Sequence, residues 1–186
     1  MQYKYFLMKK NYGILFRISG LPGSGKTELV KLIQNEIQIH FGPTVSWSGD
    51  DLRNILNNKL YSLKERNKFG LINIKLIKLI NSQKINVLFA TVGLKSSIRK
   101  SFAENIPNYI EIIIKANLSD LKKRKARKFY NNNSKNVWGQ DIKVEYPKNP
   151  DIELINDFSK DLNFLKKRLI KKLIQLPKLK KYLLKK

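Results

Sequence analysis

The octapeptide GLPGSGKT at residues 20–27 constrains the fold of this chain more than any other feature of the sequence. It matches the pattern G-x-x-x-x-G-K-[ST] without a mismatch. In this pattern the glycines let the backbone wrap a phosphate chain, so that several N–H groups point at the anion. An apolar, β-prone run at 14–19 precedes the loop, and apolar residues at helical spacing follow it from Glu28. A strand, a glycine loop and a helix in this order predict a phosphate-binding loop (P-loop).

The rest of the chain alternates between strand and helix patterns. Strands are predicted at 14–19, 44–47, 85–92, 109–116 and 152–155. Helices are predicted at 28–37, from Asp50 or Asp51 onward, and at 63–81, 118–129 and 159–175, with Pro177 ending or kinking the last one. Because the strands are apolar throughout, they predict a mainly parallel sheet with helices on both faces. The expected fold class is therefore α/β, a three-layer P-loop nucleoside-triphosphate-hydrolase-like fold.

The organisation of the chain predicts one domain over residues 1–186, with a basic C-terminal helix and tail at 157–186. The region 130–151 has little periodicity and is predicted to be a loop that forms a lid.

Composition and charge exclude several classes of protein. The chain has 38 Lys and Arg against 14 Asp and Glu, a net charge of +24, but 42% of its residues are hydrophobic, which excludes a disordered basic tail. The absence of cysteine excludes disulfides and thiol catalysis, and His40 is the only histidine. No apolar run is long enough to span a bilayer, and the N-terminus is too charged for a signal peptide. We therefore expect a cytoplasmic protein without membrane attachment.

Two groups of residues are candidates for chemistry with phosphates. Lys26 is predicted to reach the β- and γ-phosphates of a nucleotide, and Thr27 to bind Mg²⁺. The sequence SGDDLR at 48–53 follows the second predicted strand, and the carboxyl ends of parallel strands line one crevice. A carboxylate there can hold Mg²⁺ or accept a proton, and Arg53 can clamp an anionic acceptor. The alternative is that Asp50 or Asp51 only caps a helix and the arginine is solvated.

Six segments in this order resemble the adenylyl-sulfate (APS) kinase family of P-loop kinases, which phosphorylate the 3′-hydroxyl of adenosine 5′-phosphosulfate. They are GLPGSGKT, GDDLR, YSLKER, ENIPNYIEI, LKKRKARKFY and GQDIKVEYPKNPD. The resemblance covers about residues 13–156. It implies ATP and Mg²⁺ as cofactors, a small nucleotide acceptor as partner and a possible homodimer, with no specific nucleic acid bound.

The resemblance also assigns site residues. On the ATP side these are Gly20, Leu21, Pro22, Gly23, Ser24, Gly25, Lys26 and Thr27, with Arg124 in the lid. Lys26 and Asp50 take the catalytic positions, and Thr27 and Asp50 the metal positions. The acceptor positions fall on Arg53, Tyr61, Arg66 and Val92, with Tyr61 as a stacking platform for the base and Arg66 as a second anion clamp.

The sequence departs from the family pattern mainly on the acceptor side. The family's acidic residue before the GD pair is Ser48 here, its acceptor-holding asparagine is Phe69, and a serine proposed to be phosphorylated is Gly93. Two lid lysines are replaced by Asn131 and Asn132. Phe69 cannot make the paired hydrogen bonds of an asparagine side chain. These changes bear on the choice of acceptor or on the level of activity.

Four functions remain open at this point. The resemblance favours phosphorylation of APS to 3′-phosphoadenylyl sulfate, a step of sulfate assimilation. Because the departures lie on the acceptor side, a kinase of another nucleotide conjugate, such as cytidine diphosphoramidate in capsule biosynthesis, is an alternative. A non-catalytic relative is another. The charge of +24 suggests a basic nucleic-acid-binding protein on a P-loop scaffold, although aromatic residues do not interleave with the basic runs.

Overall fold

The computed structural model describes residues 8–58, 60–124, 130 and 136–184. The strands are β1 (Leu15–Gly20), β2 (Thr44–Ser48), β3 (Asn86–Thr91), β4 (Tyr109–Lys115) and β5 (Ile152–Ile155). The α-helices are α1 (Lys26–Phe41), α2 (Gly49–Ile55), α3 (Leu63–Ser82), α4 (Ser96–Asn105), α5 (Leu118–Lys123) and α6 (Leu162–Gln175), followed by a 3₁₀ turn at Pro177–Tyr182. None of the helices in this part of the chain is long and apolar enough to cross a membrane.

The strands form one sheet in the order β2-β3-β1-β4-β5, and every pair of neighbours is parallel. β1 lies in the middle, between β3 and β4, so the loop that follows it opens at the centre of the carboxyl edge. In open parallel sheets, ligands bind in the crevice at the carboxyl ends of the strands, at the point where the strand order reverses. The predicted α/β fold, with a parallel sheet covered on both faces, is confirmed.

The alternation of side chains along β1 distributes the core over both faces of the sheet. Phe16 and Ile18 face α1 and α6, in a cluster with buried residues of those helices such as Leu29, Ile33 and Leu169. Leu15 and Arg17 face the opposite side, where Leu15 packs with buried residues of α3 and α4, Ile74, Ile77 and Phe102. Both faces are therefore covered, which explains why the strands read as continuous apolar runs.

The C-terminal helix begins three residues later than predicted. Asp157 accepts hydrogen bonds from the backbone N–H and the hydroxyl of Ser159, and Asp161 accepts one from the N–H of Phe164. Asp161 is thus the N-cap of α6, and the helix starts at Leu162. Pro177 opens the 3₁₀ turn after the helix has ended, in agreement with the prediction.

The basic helix predicted at 118–129 is shorter in the described residues. α5 ends at Lys123, with Arg124 as its C-cap, and residues 125–129 lie outside the part of the chain that the structure describes.

Candidate active site

A cavity of about 920 Å³ opens at the carboxyl edge of the sheet. Most of the predicted site residues line it; the exceptions are Gly20, Leu21 and Ser24. The walls divide into two ends. The end near α6 includes Arg124, Phe158 and Leu162, and the end near α3 and α4 includes Phe69, Phe89 and Phe102. The P-loop and the start of α2 lie between them. After the roles that the sequence predicts for Arg124 on one side and for Arg53, Tyr61 and Arg66 on the other, we call these the nucleotide end and the acceptor end.

Glycine is required at two positions of the P-loop, by a close contact at one and by the backbone conformation at the other. At Gly20 an added Cβ would lie 2.4 Å from the carbonyl oxygen of Ile114, because the loop leaves β1 in close contact with β4. Gly25 has φ +91°, a left-handed conformation that suits glycine, and it is the N-cap of α1. The amino end of a sixteen-residue helix therefore begins at the loop, in the arrangement that binds phosphate in other proteins.

Lys26 and its neighbours fix the shape of the loop. The buried Nζ of Lys26 donates to the carbonyl oxygen of Leu21 at 2.7 Å and approaches the Oγ of Ser24 at 3.5 Å. Asn156, which follows β5, donates from Nδ2 to the carbonyl oxygen of Ser24 at 3.1 Å. Sequence reasoning missed Asn156. Its position just beyond a predicted strand was the only available signal, since strand ends meet at this edge.

The two neighbouring carboxylates at the start of α2 have different surroundings. Ser48 is the N-cap of the helix: its Oγ accepts from the N–H of Asp51 at 3.2 Å, and the Asp51 carboxylate accepts from the N–H of Ser48 at 2.7 Å. The alternative that Asp50 or Asp51 is the N-cap of this helix is therefore wrong, since Ser48 holds that position. Asp51 is engaged in the capping box, while Asp50 is exposed and lines the cavity.

At the acceptor end, Arg53 is buried between aromatic rings. Its guanidinium carbon lies 4.2 Å from the centroid of Phe69 and 4.6 Å from that of Tyr61. The same group donates to the carbonyl oxygen of Leu60 at 2.8 Å and to Oδ1 of Asn58 at 3.3 Å. Arg53 is therefore held in a fixed orientation at the cavity wall.

Arg66 connects α3 to the segment at 136–142. It donates to the carbonyl oxygen of Tyr61 and to that of Asn136, both at 2.8 Å, and its guanidinium carbon lies 5.4 Å from the centroid of the Tyr61 ring. Burial and the nearby charge of Arg53 lower the pKa of Arg66. The ring of Tyr61 thus contacts two guanidinium groups, Arg53 and Arg66.

A turn at 136–142 forms part of the predicted lid. The Asp141 carboxylate accepts hydrogen bonds from the N–H groups of Asn136 and Val137. Although desolvation raises the pKa of Asp141, these backbone donors and the charge of Arg66 bring it below its usual range. Asn136, Val137 and the buried Trp138 all line the cavity, while Asn131 and Asn132 lie outside the described residues.

The nucleotide end contains an aromatic side chain that the sequence did not indicate. The guanidinium carbon of Arg124 lies 4.4 Å from the ring centroid of Phe158. Phe158 has φ +63°, a left-handed conformation rare for a bulky residue, and its N–H donates to Oδ1 of Asn156 at 3.1 Å. Asn156 therefore supports both the P-loop and the residue opposite Arg124.

Comparison with known proteins agrees with this geometry. A family model described as adenylylsulphate kinase matches residues 12–155. The cytidine diphosphoramidate kinase of Campylobacter jejuni is 29% identical over 170 residues, covering 89% of this chain and 99% of that protein. The adenylyl-sulfate kinase of Gloeothece citriformis is 24% identical over 172 residues, covering 90% of this chain and 97% of that one.

Among solved structures, the APS kinase of Mycobacterium tuberculosis in complex with AMPPNP and APS superimposes with a TM-score of 0.75 at 23% identity, covering 87% of this chain and 98% of that one. This likeness establishes the fold, and the family match spans all five strands and most, but not all, of the residues that line the cavity. The chain therefore belongs to the adenylylsulphate kinase family and is a phosphotransferase that acts on nucleotide conjugates.

Proposed function

We propose that this kinase transfers the γ-phosphate of ATP to a hydroxyl of a cytidine 5′-conjugate with a short anionic tail, cytidine diphosphoramidate in particular. The observation that carries the proposal is the packing of the Phe69 ring against Arg53. The family has an asparagine at this position that holds the acceptor, so this chain offers an aromatic face where an APS kinase offers hydrogen bonds. The higher identity to the cytidine diphosphoramidate kinase, 29% against 24% for the adenylyl-sulfate kinase of Gloeothece citriformis, points the same way. Phosphorylation of APS is the second candidate, and the family match over residues 12–155 supports it.

The P-loop and the start of α2, between the two ends of the cavity, suit the phosphates of ATP and Mg²⁺. The helix that starts at Lys26 presents N–H groups to a phosphate chain, and the Lys26 side chain adds a positive charge at the same place. The described residues contain no group of three or more His, Asp or Glu that could hold a metal by itself. Thr27 and Asp50 line the cavity together, and such a sparse set suits Mg²⁺, which keeps waters and phosphate oxygens as further ligands. Mg²⁺, when bound, neutralises charge on the phosphates.

The acceptor end suits an anionic nucleoside conjugate. Arg53 and Arg66 bring two guanidinium groups to one wall, where they can pair with phosphoryl oxygens of a short tail. Phe69, Phe89 and Phe102 line the cavity beside them and offer apolar surface to a base.

The chemistry follows from the position of a few side chains. Lys26 stabilises the charge that develops on the transferred phosphoryl group. Asp50, exposed in the cavity and outside the capping box, accepts the proton of the attacking hydroxyl or holds the metal through water. Arg53 and Arg66 orient the acceptor, so that most of the acceleration comes from positioning and charge neutralisation.

The direct test is a comparison of acceptors with the purified full-length protein and Mg-ATP. ADP release is measured with cytidine diphosphoramidate, APS and cytidine 5′-diphosphate, and the phosphorylated product is identified by ³¹P NMR. We expect kcat/KM for cytidine diphosphoramidate to exceed that for APS by about tenfold, a difference of roughly 1.4 kcal/mol. A preference for APS would establish the second candidate, and background ADP release with every acceptor would refute both. The Lys26→Ala variant serves as the inactive control.

We further propose that residues 1–186 form one kinase domain and that two copies associate. The packing of α6 against α1 supports the first proposal, and the resemblance to the family supports the second. Sedimentation velocity of the purified protein tests the second directly, since a monomer at micromolar concentration would contradict it.

A further inference from the structure

An arginine lies in the central strand of the sheet, in a position that neither the motifs nor the proposed function accounts for. Arg17 is fully buried, and among the described residues it is the only buried charged side chain that belongs to a strand. Such a group costs several kcal/mol unless it is paired and hydrogen-bonded, so each of its contacts matters. Its side chain projects to the face of the sheet covered by α3 and α4, where the guanidinium carbon lies 5.0 Å from the ring centroid of Phe102.

The neighbouring strand β4 supplies the carboxylate that pairs with Arg17. Its NH1 lies 3.5 Å from Oε1 of Glu111 and 3.5 Å from the hydroxyl of Tyr109. The same Glu111 oxygen lies 3.4 Å from Nε of Arg99 in α4, so two arginines share one carboxylate. Burial raises the pKa of Tyr109, which therefore stays neutral. The contacts of Arg17 with Glu111 and Tyr109 both involve NH1, one of the two terminal nitrogens of the guanidinium.

The other terminal nitrogen reaches the segment that follows β3. NH2 of Arg17 donates to the carbonyl oxygen of Gly93 at 2.6 Å, a short, charge-assisted hydrogen bond between residues 76 positions apart. An added Cβ at Gly93 would lie 2.3 Å from this same nitrogen. A side chain at position 93 and the observed orientation of Arg17 therefore exclude each other. This gives a structural reason why glycine stands where the family has a serine.

The segment that Arg17 holds forms part of the acceptor end. Thr91, Val92 and Gly93 all line the cavity, as does Phe102, which packs against the guanidinium of Arg17. Arg17 itself is fully buried, so it lies behind this wall and does not reach the acceptor. Glycine has more backbone freedom than any other residue, and a glycine in a binding wall needs an external constraint to keep one conformation.

We infer that Arg17 is a positioning residue of the acceptor site, which fixes the wall at 91–93 through the carbonyl oxygen of Gly93. The inference rests on the proposed function, because it assigns the wall to the acceptor and not to ATP. Loss of the Arg17 hydrogen bond frees the segment, and the acceptor then has to order it on binding. This raises KM for the acceptor and leaves KM for ATP unchanged.

The test is a double-mutant cycle on the full-length protein with Arg17→Met, Gly93→Ala and the combined variant. Methionine keeps an unbranched side chain that reaches about as far as Nε of the arginine. Glu111 retains Arg99 as a partner, so the fold has no unpaired buried carboxylate. We expect KM for the acceptor to rise about tenfold in each single variant, because a charge-assisted hydrogen bond is lost or displaced. In the combined variant we expect no further rise, since the Cβ at position 93 no longer meets a guanidinium.

Two controls separate positioning from a general loss of stability. Tyr109→Phe removes a hydroxyl near NH1 without touching Gly93, so it should lower the melting temperature and leave KM for the acceptor unchanged. Arg17→Lys keeps a buried charge and a donor, and it should recover part of the acceptor affinity. Additive effects in the cycle, or equal rises in KM for ATP and acceptor, would overturn the inference.

A second measurement does not depend on which acceptor is correct. Amide hydrogen exchange of a peptide that spans 91–94 should be faster in Arg17→Met than in the wild type and unchanged in Tyr109→Phe. Unchanged exchange in Arg17→Met overturns the positioning role, even if the kinase activity is as proposed. Conversely, a wild type that phosphorylates no acceptor refutes the proposed function, while the exchange result still decides whether Arg17 holds the wall.

Discussion

The guanidinium carbon of Arg53 lies 4.2 Å from the centroid of the Phe69 ring, in direct contact across the acceptor wall. The two side chains come from different helices, α2 and α3, and both are buried. A cation over an aromatic face is worth about 0.5–1 kcal/mol at an exposed site and about 2 kcal/mol where the pair is shielded from water. Phe69 therefore holds Arg53 in place at the cavity wall. In the acceptor site that we propose, an asparagine at this position would instead offer hydrogen bonds to the acceptor itself.

The first prediction concerns the Phe69→Asn variant. Asparagine removes the ring from Arg53 and restores a hydrogen-bonding group of the kind found in the family. We expect KM for cytidine diphosphoramidate to rise several-fold and the ratio of kcat/KM between APS and cytidine diphosphoramidate to shift by about tenfold toward APS. Phe69→Leu, which fills much of the same space without an aromatic face, should raise KM without shifting the ratio. An unchanged ratio in Phe69→Asn would show that this position does not select the acceptor.

The second prediction compares two adjacent carboxylates. Asp50→Ala should lower kcat by about 10²–10⁴-fold, the usual effect of removing a general base, with little change in melting temperature. Asp51→Ala removes half of the capping box and should cost about 1 kcal/mol of stability, while kcat stays within about threefold of the wild type. Steady-state kinetics and urea denaturation of both variants test this. Equal losses of kcat would mean that the start of α2 acts as a unit and that Asp50 has no separate role.

Local features of this site could be predicted from the sequence, and features that join distant segments could not. The P-loop is one continuous motif with its strand and helix, so eight adjacent residues establish its place in the fold. The capping box at Ser48 was also within reach, because a serine followed three residues later by an acidic side chain is a known helix start. Ser48 is also a departure from the family pattern, and that comparison alone does not reveal its role as the N-cap.

The contact between Arg17 and Gly93 joins distant segments of the chain and could not be predicted. A basic residue inside an apolar strand is visible in the sequence, but its partners lie on β4, on α4 and after β3. Nothing in the spacing connects position 17 to position 93. The same holds for Asn156, which braces a loop more than a hundred residues earlier in the chain. Such contacts follow from the order of strands in the sheet, which periodicity alone does not determine.

The third prediction concerns the pH dependence of the turn at 136–142. Hydrogen bonds from the N–H groups of Asn136 and Val137 keep the pKa of Asp141 below its ordinary value of about 3.9 in the folded protein. A depressed folded pKa means that this carboxylate contributes stability above the unfolded value and loses it as the pH falls through the folded value. The difference in melting temperature between wild type and Asp141→Ala should therefore be largest near neutral pH and shrink below about pH 4.

The control for this experiment is Glu104→Ala, which removes an exposed carboxylate paired with Lys100 on α4, away from the turn. It accounts for the general effect of net charge on stability at low pH. If the difference in melting temperature between wild type and Asp141→Ala stays constant from neutral to acidic pH, the stabilisation does not come from the ionised side chain.

The last prediction tests whether the basic C-terminal helix is part of the kinase domain. Leu169 of α6 is fully buried in the cluster that includes Phe16, Ile18 and residues of α1, while Phe164 on the same helix is 43% exposed. Leu169→Ala should lower the free energy of unfolding by about 2–5 kcal/mol, because it leaves a cavity between the helix and the sheet. Phe164→Ala should change it by about 0.5 kcal/mol or less. Urea denaturation followed by circular dichroism measures both values.

The shape of the urea unfolding transition shows whether α6 unfolds together with the sheet. If α6 belongs to the same cooperative unit as the sheet, Leu169→Ala shifts the midpoint of a single transition and leaves its slope unchanged. A variant that loses helical signal in a separate, earlier transition would mean that the C-terminal helix unfolds independently of the kinase core. The first outcome explains why this region combines so many lysines with leucines at helical spacing: the leucines pack against α1 and the sheet, and lysines such as Lys171 and Lys172 remain exposed to water.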